Sequence, residues 1–298
     1  MRIYVSSVSR RILEEFTKRW PEEKLDVLRS FALEQDDTTD IALYPPACVN
    51  SLILDSGTYT LNNSPELAAK YTVYHYREYL RKYKDKFDFY FNYDLSHADD
   101  IMNWDWQRIL EEPYPNPIDN STTKPVPVIQ DLKDVEKYCK LKHIYPLVAI
   151  GSGANKKKAP LKKAVKELYA NGVKVHLFAI GTYDALHDIP VWSSDCTSFL
   201  KWASFRRVCF FDHDENREYI IATKENVKDL PYLFDPYKDY ADKYGAWLSQ
   251  RGFDDLFEID FDSDQDTLML ANLWHYKELA EIITEEHQNV HKFTFDVW

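Results

Sequence analysis

Short apolar runs alternate with helical segments over about the first 210 residues, and this constrains the chain most, because strands separated by helices pair in parallel within one sheet. Candidate strands begin at Arg2, Leu52, Phe87, Val126, Tyr145, Val173, Ile189 and Arg207. Eight such strands with intervening helices predict an α/β fold, a TIM (β/α)8 barrel over residues 1–214. Between them, Ile12, Leu13 and Phe16 stand at helical spacing ahead of Pro21, and Ser64-Pro65-Glu66 is a cap-then-proline start for a helix running to about Lys84. Pro160 to Asn171 reads as a helix closed by Gly172, and Leu132 to Cys139 as a shorter one. Glu34 to Asp40 reads as polar loop. From Ser96 to Lys124 the pattern loosens into a long excursion with one helical stretch, Asp99 to Glu111, which carries Trp104 and Trp106.

Composition narrows the class. In 298 residues, 45% are hydrophobic, enough for a proper core, and the net charge of -12 argues against nucleic-acid binding by bulk charge alone. Cys48, Cys139, Cys196 and Cys209 are widely spaced, so neither a zinc ribbon nor a disulfide framework is suggested, and a reducing cytoplasm is the expected compartment. No apolar run approaches the roughly 18 residues that cross a bilayer, and Met1 to Ser7 lacks the apolar region of a signal peptide. Residues 215–298 form an acidic and aromatic extension, with seven acids between Asp254 and Asp266 and an amphipathic helix from Leu268 to Glu285. It is expected to pack on the barrel as a mostly helical appendage.

Parallel strands place their C-terminal ends on one rim, and the polar residues at the expected ends are Asp55, Asp94, Gln130, Gly151 to Gly153, Gly181 and Asp195. Asp55 closes Leu52-Ile-Leu-Asp-Ser-Gly57, and Asp195 follows Ile189 to Trp192. Two acids far apart in sequence can thus meet over one substrate atom. Either also has a plainer use. Asp195 could cap a following helix, and Asp55 could stabilise its own turn through a bond to Gly57.

The set as a whole resembles the queuine/archaeosine tRNA-guanine transglycosylases. The resemblance rests on Asp55-Ser-Gly57, Asp94, Gln130 after Pro127-Val-Ile, Ile150-Gly-Ser-Gly153, His176-Leu-Phe-Ala-Ile-Gly181 and Ser194-Asp-Cys196, six motifs in the family's order between Leu52 and Ser198. It implies exchange of guanine in a polynucleotide for a 7-deazaguanine, with Asp195 as nucleophile on the anomeric carbon and Asp55 as general acid/base. Asp94 and Gln130 then read the base edge, beside Gly151, Ser152, Gly153, Ala179 and Gly181. The tRNA enzymes carry a zinc site of three cysteines and a histidine; only Cys209 and His213 lie in the equivalent region, so that zinc cannot be built here. A shorter, zinc-free chain looks more like the DNA-modifying branch found in phages and bacterial genomic islands. DNA is therefore favoured over tRNA, with no metal, cofactor or membrane implied.

A phosphate backbone would need a local basic track, for which Lys156, Lys157, Lys158, Arg206 and Arg207 are candidates, although a charge run before a helix is usually just solvated. A partner protein could supply the track instead, and a homodimer is open. Trp104 and Trp106 could stack on unpaired bases, but packing against the barrel is the commoner use. His97, His176 and His187 lack ligand spacing. A nucleoside N-glycosidase and a non-catalytic binding subunit remain as alternatives.

Overall fold

The computed structural model describes residues 1–33, 35–94, 100–111, 124–151, 157–222, 245–253 and 265–295. Eight strands form one sheet: β1 Arg2–Ser6, β2 Leu25–Ser30, β3 Val49–Asp55, β4 Phe89–Tyr90, β5 Val128–Ile129, β6 Leu147–Ile150, β7 Lys174–Leu177 and β8 Ser193–Cys196. Their order is β4-β3-β2-β1-β8-β7-β6-β5, with parallel pairing throughout. The sheet curls until its edges meet. Phe91, just after β4, bridges Val126, just before β5, with Val126 N–H donating to Tyr90 O at 2.8 Å and Asn92 N–H to Val126 O at 2.9 Å. This is an α/β, TIM-like architecture.

The two-residue alternation of each strand sorts its side chains onto two faces. Tyr4, Leu28, Ile53, Phe91, Val128 and Leu147 belong to an inner cluster enclosed by the sheet, while Val5, Val27, Leu54, Val148 and Val175 join the layer under the helices. Trp104 and Trp106 pack rather than project. Trp104 stacks on Tyr138 with centroids 6.0 Å apart, and Trp106 meets Tyr93 edge-on at 5.4 Å. No helix among the described residues is long and apolar enough to cross a membrane.

Four expectations need correction. Leu25 to Ser30 is a strand that the apolar reading passes over, because it carries Asp26 and the fully buried Arg29. Both have partners: Asp26 accepts from Asn50 Nδ2 at 2.7 Å, and Arg29 donates to the Val8 carbonyl and to Asp37. Of the expected loop Glu34 to Asp40, Gln35 to Asp40 belong to a helix, Gln35–Leu43, that buries Thr38, Ile41 and Ala42, and Glu34 lies outside the described residues. The helix expected from Ser64 to Lys84 breaks at Tyr71, and a second one, Val73–Tyr83, restarts where the Thr72 N–H donates to His75 Nδ1 at 3.2 Å. Arg207 to Phe211 lies outside the parallel sheet. It belongs to β9, Arg207–Asp212, which pairs antiparallel with β10, Arg217–Ala222. The hairpin turn explains this, since Asp212 accepts from the N–H groups of Asp214 and Glu215 and Asn216 takes a positive φ of 52°.

The boundary expected after residue 214 falls inside that turn. The C-terminal helix, Gln265–Asn289, buries Leu268, Leu273, Tyr276, Leu279 and Ile283. Its Thr284 hydroxyl donates to Met1 O at 3.0 Å, and Trp274 packs on Trp20 at 4.7 Å. Asn272, wholly buried, ties the helix to the hairpin: its Oδ1 accepts from Cys209 N–H at 2.8 Å, and its Nδ2 donates to Arg207 O at 3.0 Å and Phe199 O at 3.3 Å. Asn272→Ala strands these groups in the core and is expected to cost about 2–3 kcal/mol. Urea unfolding followed by far-UV CD checks it; a cost below about 0.5 kcal/mol would show that this side chain does not hold hairpin and helix together.

Candidate active site

Asp195 lies within β8 rather than after it, opposite Tyr4 of β1, because the strand begins at Ser193 and not at Ile189. Ser193 shares the inner face with Asp195, where a polar neighbour, His176, meets it. Ser193 Oγ sits 2.8 Å from His176 Nδ1 of β7, and both residues are fully buried. The carboxylate of Asp195 is 7% exposed and held from three sides. Its Oδ2 accepts from Ser6 Oγ at 2.7 Å, and its Oδ1 accepts from Ala179 N–H at 3.0 Å and faces His176 Nε2 at 3.4 Å. Ala179 adopts φ 59°, an uncommon conformation for a residue with a Cβ, and this turns its N–H back onto β8. The His176 ring is wedged among Phe91, Phe178 and Tyr4, with centroids at 4.7, 4.9 and 6.2 Å.

Asp55, Asp94, Gln130 and Gly151 form a second group at the same end of the sheet. Asp94 Oδ2 accepts from Gln130 Nε2, and its Oδ1 accepts from Thr58 Oγ1 at 3.3 Å. Gln130 lies over Gly151 so closely that a Cβ there would come within 2.6 Å of its Oε1, and only glycine fits. Burial first, and then the negative charge of Asp55, push the Asp94 carboxyl up to about 8. Asp94 is therefore largely neutral at pH 7 in the free protein. Asp55 accepts from Gly57 N–H at 2.9 Å, the turn-stabilising bond weighed above, and Gly57 has φ 80° beneath Ser30 and Ala32.

The remaining sequence candidates are spread more widely. Gly181 packs on the outer side of β8, where a Cβ would lie 2.5 Å from Cys196 Sγ, next to Tyr276. Lys157 and Lys158 are exposed at the start of the helix Lys158–Ala170 that follows β6. Arg206 and Arg207 follow the helix after β8, with Arg207 over Trp202 at 5.7 Å and Phe205 at 5.8 Å. Ser152, Gly153 and Lys156 lie outside the described residues, as does His97. Ser6 and His176 escaped the sequence reading as partners of Asp195. Ser6 ends β1 as Asp55 ends β3, and His176 stands two residues before Phe178 on the same strand face; both signals were present.

Asp195 and Asp55 are separated by β1 and β2 around the sheet. A cavity of about 370 Å3 lies elsewhere, between β1 and the C-terminal helix, lined by Ile3, Asp26, Lys277 and Thr284 among others.

The raised Asp94 value makes stability depend on pH. The folded state holds this proton up to about pH 8 whereas an unfolded aspartate releases it near 4, so Asp94 favours folding fully below pH 4 and that contribution is lost as pH rises to about 8. Asp94→Asn is expected to remove a decline of up to about 1.4 kcal/mol per pH unit in that window. Urea titrations at pH 5, 6, 7 and 8 test it; parallel curves for wild type and variant would contradict the assignment.

No family model matches the chain, and no curated protein or solved structure matches it either.

Proposed function

We propose that the chain is a guanine transglycosylase on a closed (β/α)8 barrel, exchanging guanine in DNA for a 7-deazaguanine by double displacement. One observation carries the reading. Asp55, Asp94, Gln130 and Asp195, which the transglycosylase resemblance singles out from four separated stretches, stand at the same end of one parallel sheet, and Gln130, seated over Gly151, bonds Asp94. Ligands of such folds bind at that end.

In the first displacement a carboxylate oxygen of Asp195 attacks the anomeric carbon as the bond to guanine breaks, and Asp55, having taken up the proton that Asp94 releases as guanine binds, passes it to the departing base. Ser6, Ala179 N–H and His176 hold the nucleophile's orientation, so little reorganisation is needed at the moment of attack. In the second, the ring nitrogen of the incoming 7-deazaguanine gives its proton to Asp55 and displaces Asp195, restoring the original configuration. Atoms and charge balance without a cofactor.

Base recognition falls to Asp94 and Gln130. A carboxylate can accept from both N1–H and the exocyclic amine of guanine, and an amide N–H can donate to its carbonyl. Gln130 gives its amide hydrogen to Asp94 in the free state, so the incoming base displaces an internal bond. Because free Asp94 holds its proton to about pH 8, accepting two donors from guanine releases that proton near neutrality. Three strand spacings, roughly 14 Å along the wall, separate Asp195 from Asp55, and because both act at the ends of one glycosidic bond the mechanism requires their side chains to converge across the mouth of the curled sheet. A duplex substrate would have its target nucleotide flipped out, since the stacked base hides both its edge and its anomeric carbon.

The test is incorporation of labelled guanine or 7-deazaguanine into duplex DNA, single-stranded DNA and tRNA offered separately. Incorporation into DNA is expected, falling at least about 1,000-fold in Asp195→Ala and about 100-fold or more in Asp55→Asn. Incorporation into tRNA alone would move the same chemistry to RNA. No incorporation by the folded protein into any polymer would overturn the proposal.

A further inference from the structure

The mechanism uses neither His187, Glu286 nor His291, yet these three converge near the N-terminal ends of the strands. His187 follows the short helix Tyr183–Leu186 in the β7–β8 connection; Glu286 and His291 belong to the end of the C-terminal helix and the turn after it. That helix end lies beside Met1, the residue ahead of β1, through the Thr284 bond. The cluster is thus at the opposite end of the sheet from Asp195.

We propose that His187, Glu286 and His291 bind a divalent transition-metal ion, zinc being the best match, and that the ion fastens the C-terminal helix to the β7–β8 connection. The carboxylate oxygen Glu286 Oε1 is approached by two imidazole nitrogens, His187 Nδ1 at 3.3 Å and His291 Nε2 at 3.7 Å. One ligand atom from each residue lies within 4.8 Å of the other two. A charge-assisted N–H···O bond closes to about 2.7–2.9 Å, so neither contact is a good one. Ligand atoms about 2.0–2.1 Å from a tetrahedral zinc are roughly 3.3–3.4 Å apart; the His187–Glu286 pair already has that spacing, and the His291–Glu286 pair at 3.7 Å is a few tenths of an ångström wider. His291 Nε2 is also shielded from water and makes no hydrogen bond.

The surroundings hold the three ligands in place. Tyr183 OH donates to the other carboxylate oxygen, Oε2, at 2.7 Å, and receives a bond from Asn216 Nδ2 at 2.7 Å. That fixes the Glu286 carboxylate with Oε1 toward the imidazoles, as outer partners of metal ligands do. The Tyr183 ring stacks on His187 at 4.5 Å and 14°, and Phe293 stacks on His291 at 5.2 Å and 15°. Two imidazoles and a carboxylate are borderline donors suited to zinc, not to magnesium or calcium. Side-chain exposures of 29%, 19% and 27% place the cluster partly at the surface, within reach of an ion from solvent. The ligand set shares no residue with the cysteine-rich zinc site of the tRNA enzymes.

The experiment uses the full chain stripped with a chelator, titrated with Zn2+ by calorimetry and with Co2+ by visible absorption. One Zn2+ per chain is expected, with affinity reduced at least tenfold in both His291→Ala and Glu286→Gln. Co2+ is expected to give the intense d–d bands of a four-coordinate ion, bleached by Zn2+. A zinc-induced rise in Tm is expected for the wild type and not for the variants. Both substitutions lie at or beyond the last turns of the helix, and far-UV CD checks their fold. Absence of binding by the folded wild type, or equal binding by wild type and both variants, would overturn the proposal.

Discussion

Closure of the parallel sheet between Phe91 and Val126 is the constraint on which the rest depends. A parallel sheet curled until Phe91 and Val126 bridge gathers all its C-terminal ends along one rim. Side chains facing inward must then either pack or find internal partners. Tyr4, Phe91 and Phe178 fill the interior around His176, and the polar residues are confined to positions where donors reach them. The same bridge brings Asp94 into contact with Gln130, residues from strands that stand at opposite edges of the hydrogen-bonded order.

The two acid groups at this mouth sit in different surroundings. Asp195 is clasped by a hydroxyl, a backbone N–H and an imidazole, whereas Asp94 is desolvated beside the charge of Asp55 and keeps its proton to about pH 8. Carboxyl groups whose environments differ can take different parts in one reaction. In the proposed exchange Asp195 is the oriented nucleophile and Asp94 a reader that ionises when the base arrives. The cation site argued from His187, Glu286 and His291 belongs to the other end of the fold, where residues bear on stability rather than chemistry.

Where a strand's outward face is apolar, it was legible in the sequence. Ile3 and Val5 mark β1, Leu52 and Leu54 mark β3, and Val173 and Val175 mark β7. The strand Leu25–Ser30 was hidden by Arg29 and Asp26, whose partners Val8, Asp37 and Asn50 come from elsewhere in the chain and cannot be read locally. Arg207 to Phe211 supplied a false eighth strand, because an apolar run does not announce whether it pairs in parallel or folds back on Arg217–Ala222. Within the candidate site, the grouping of Asp94 with Gln130 and Gly151 was implied by the transglycosylase resemblance, and the strand ends bring Gln130 to Asp94 and over Gly151. His176 was dismissed for want of ligand spacing, although its service to Asp195 runs through β-sheet neighbours that sequence distance does not reveal.

The claim that Asp195 becomes covalently joined to a nucleic-acid sugar is tested most directly by mixing the protein with end-labelled DNA in the absence of an incoming base and quenching into denaturant. The account predicts a labelled band that migrates with the protein on a denaturing gel, vanishes with Asp195→Asn, and is discharged by adding free guanine. A labelled band that persists in Asp195→Asn, or guanine release from DNA with no protein-linked label at any quench time, would contradict it.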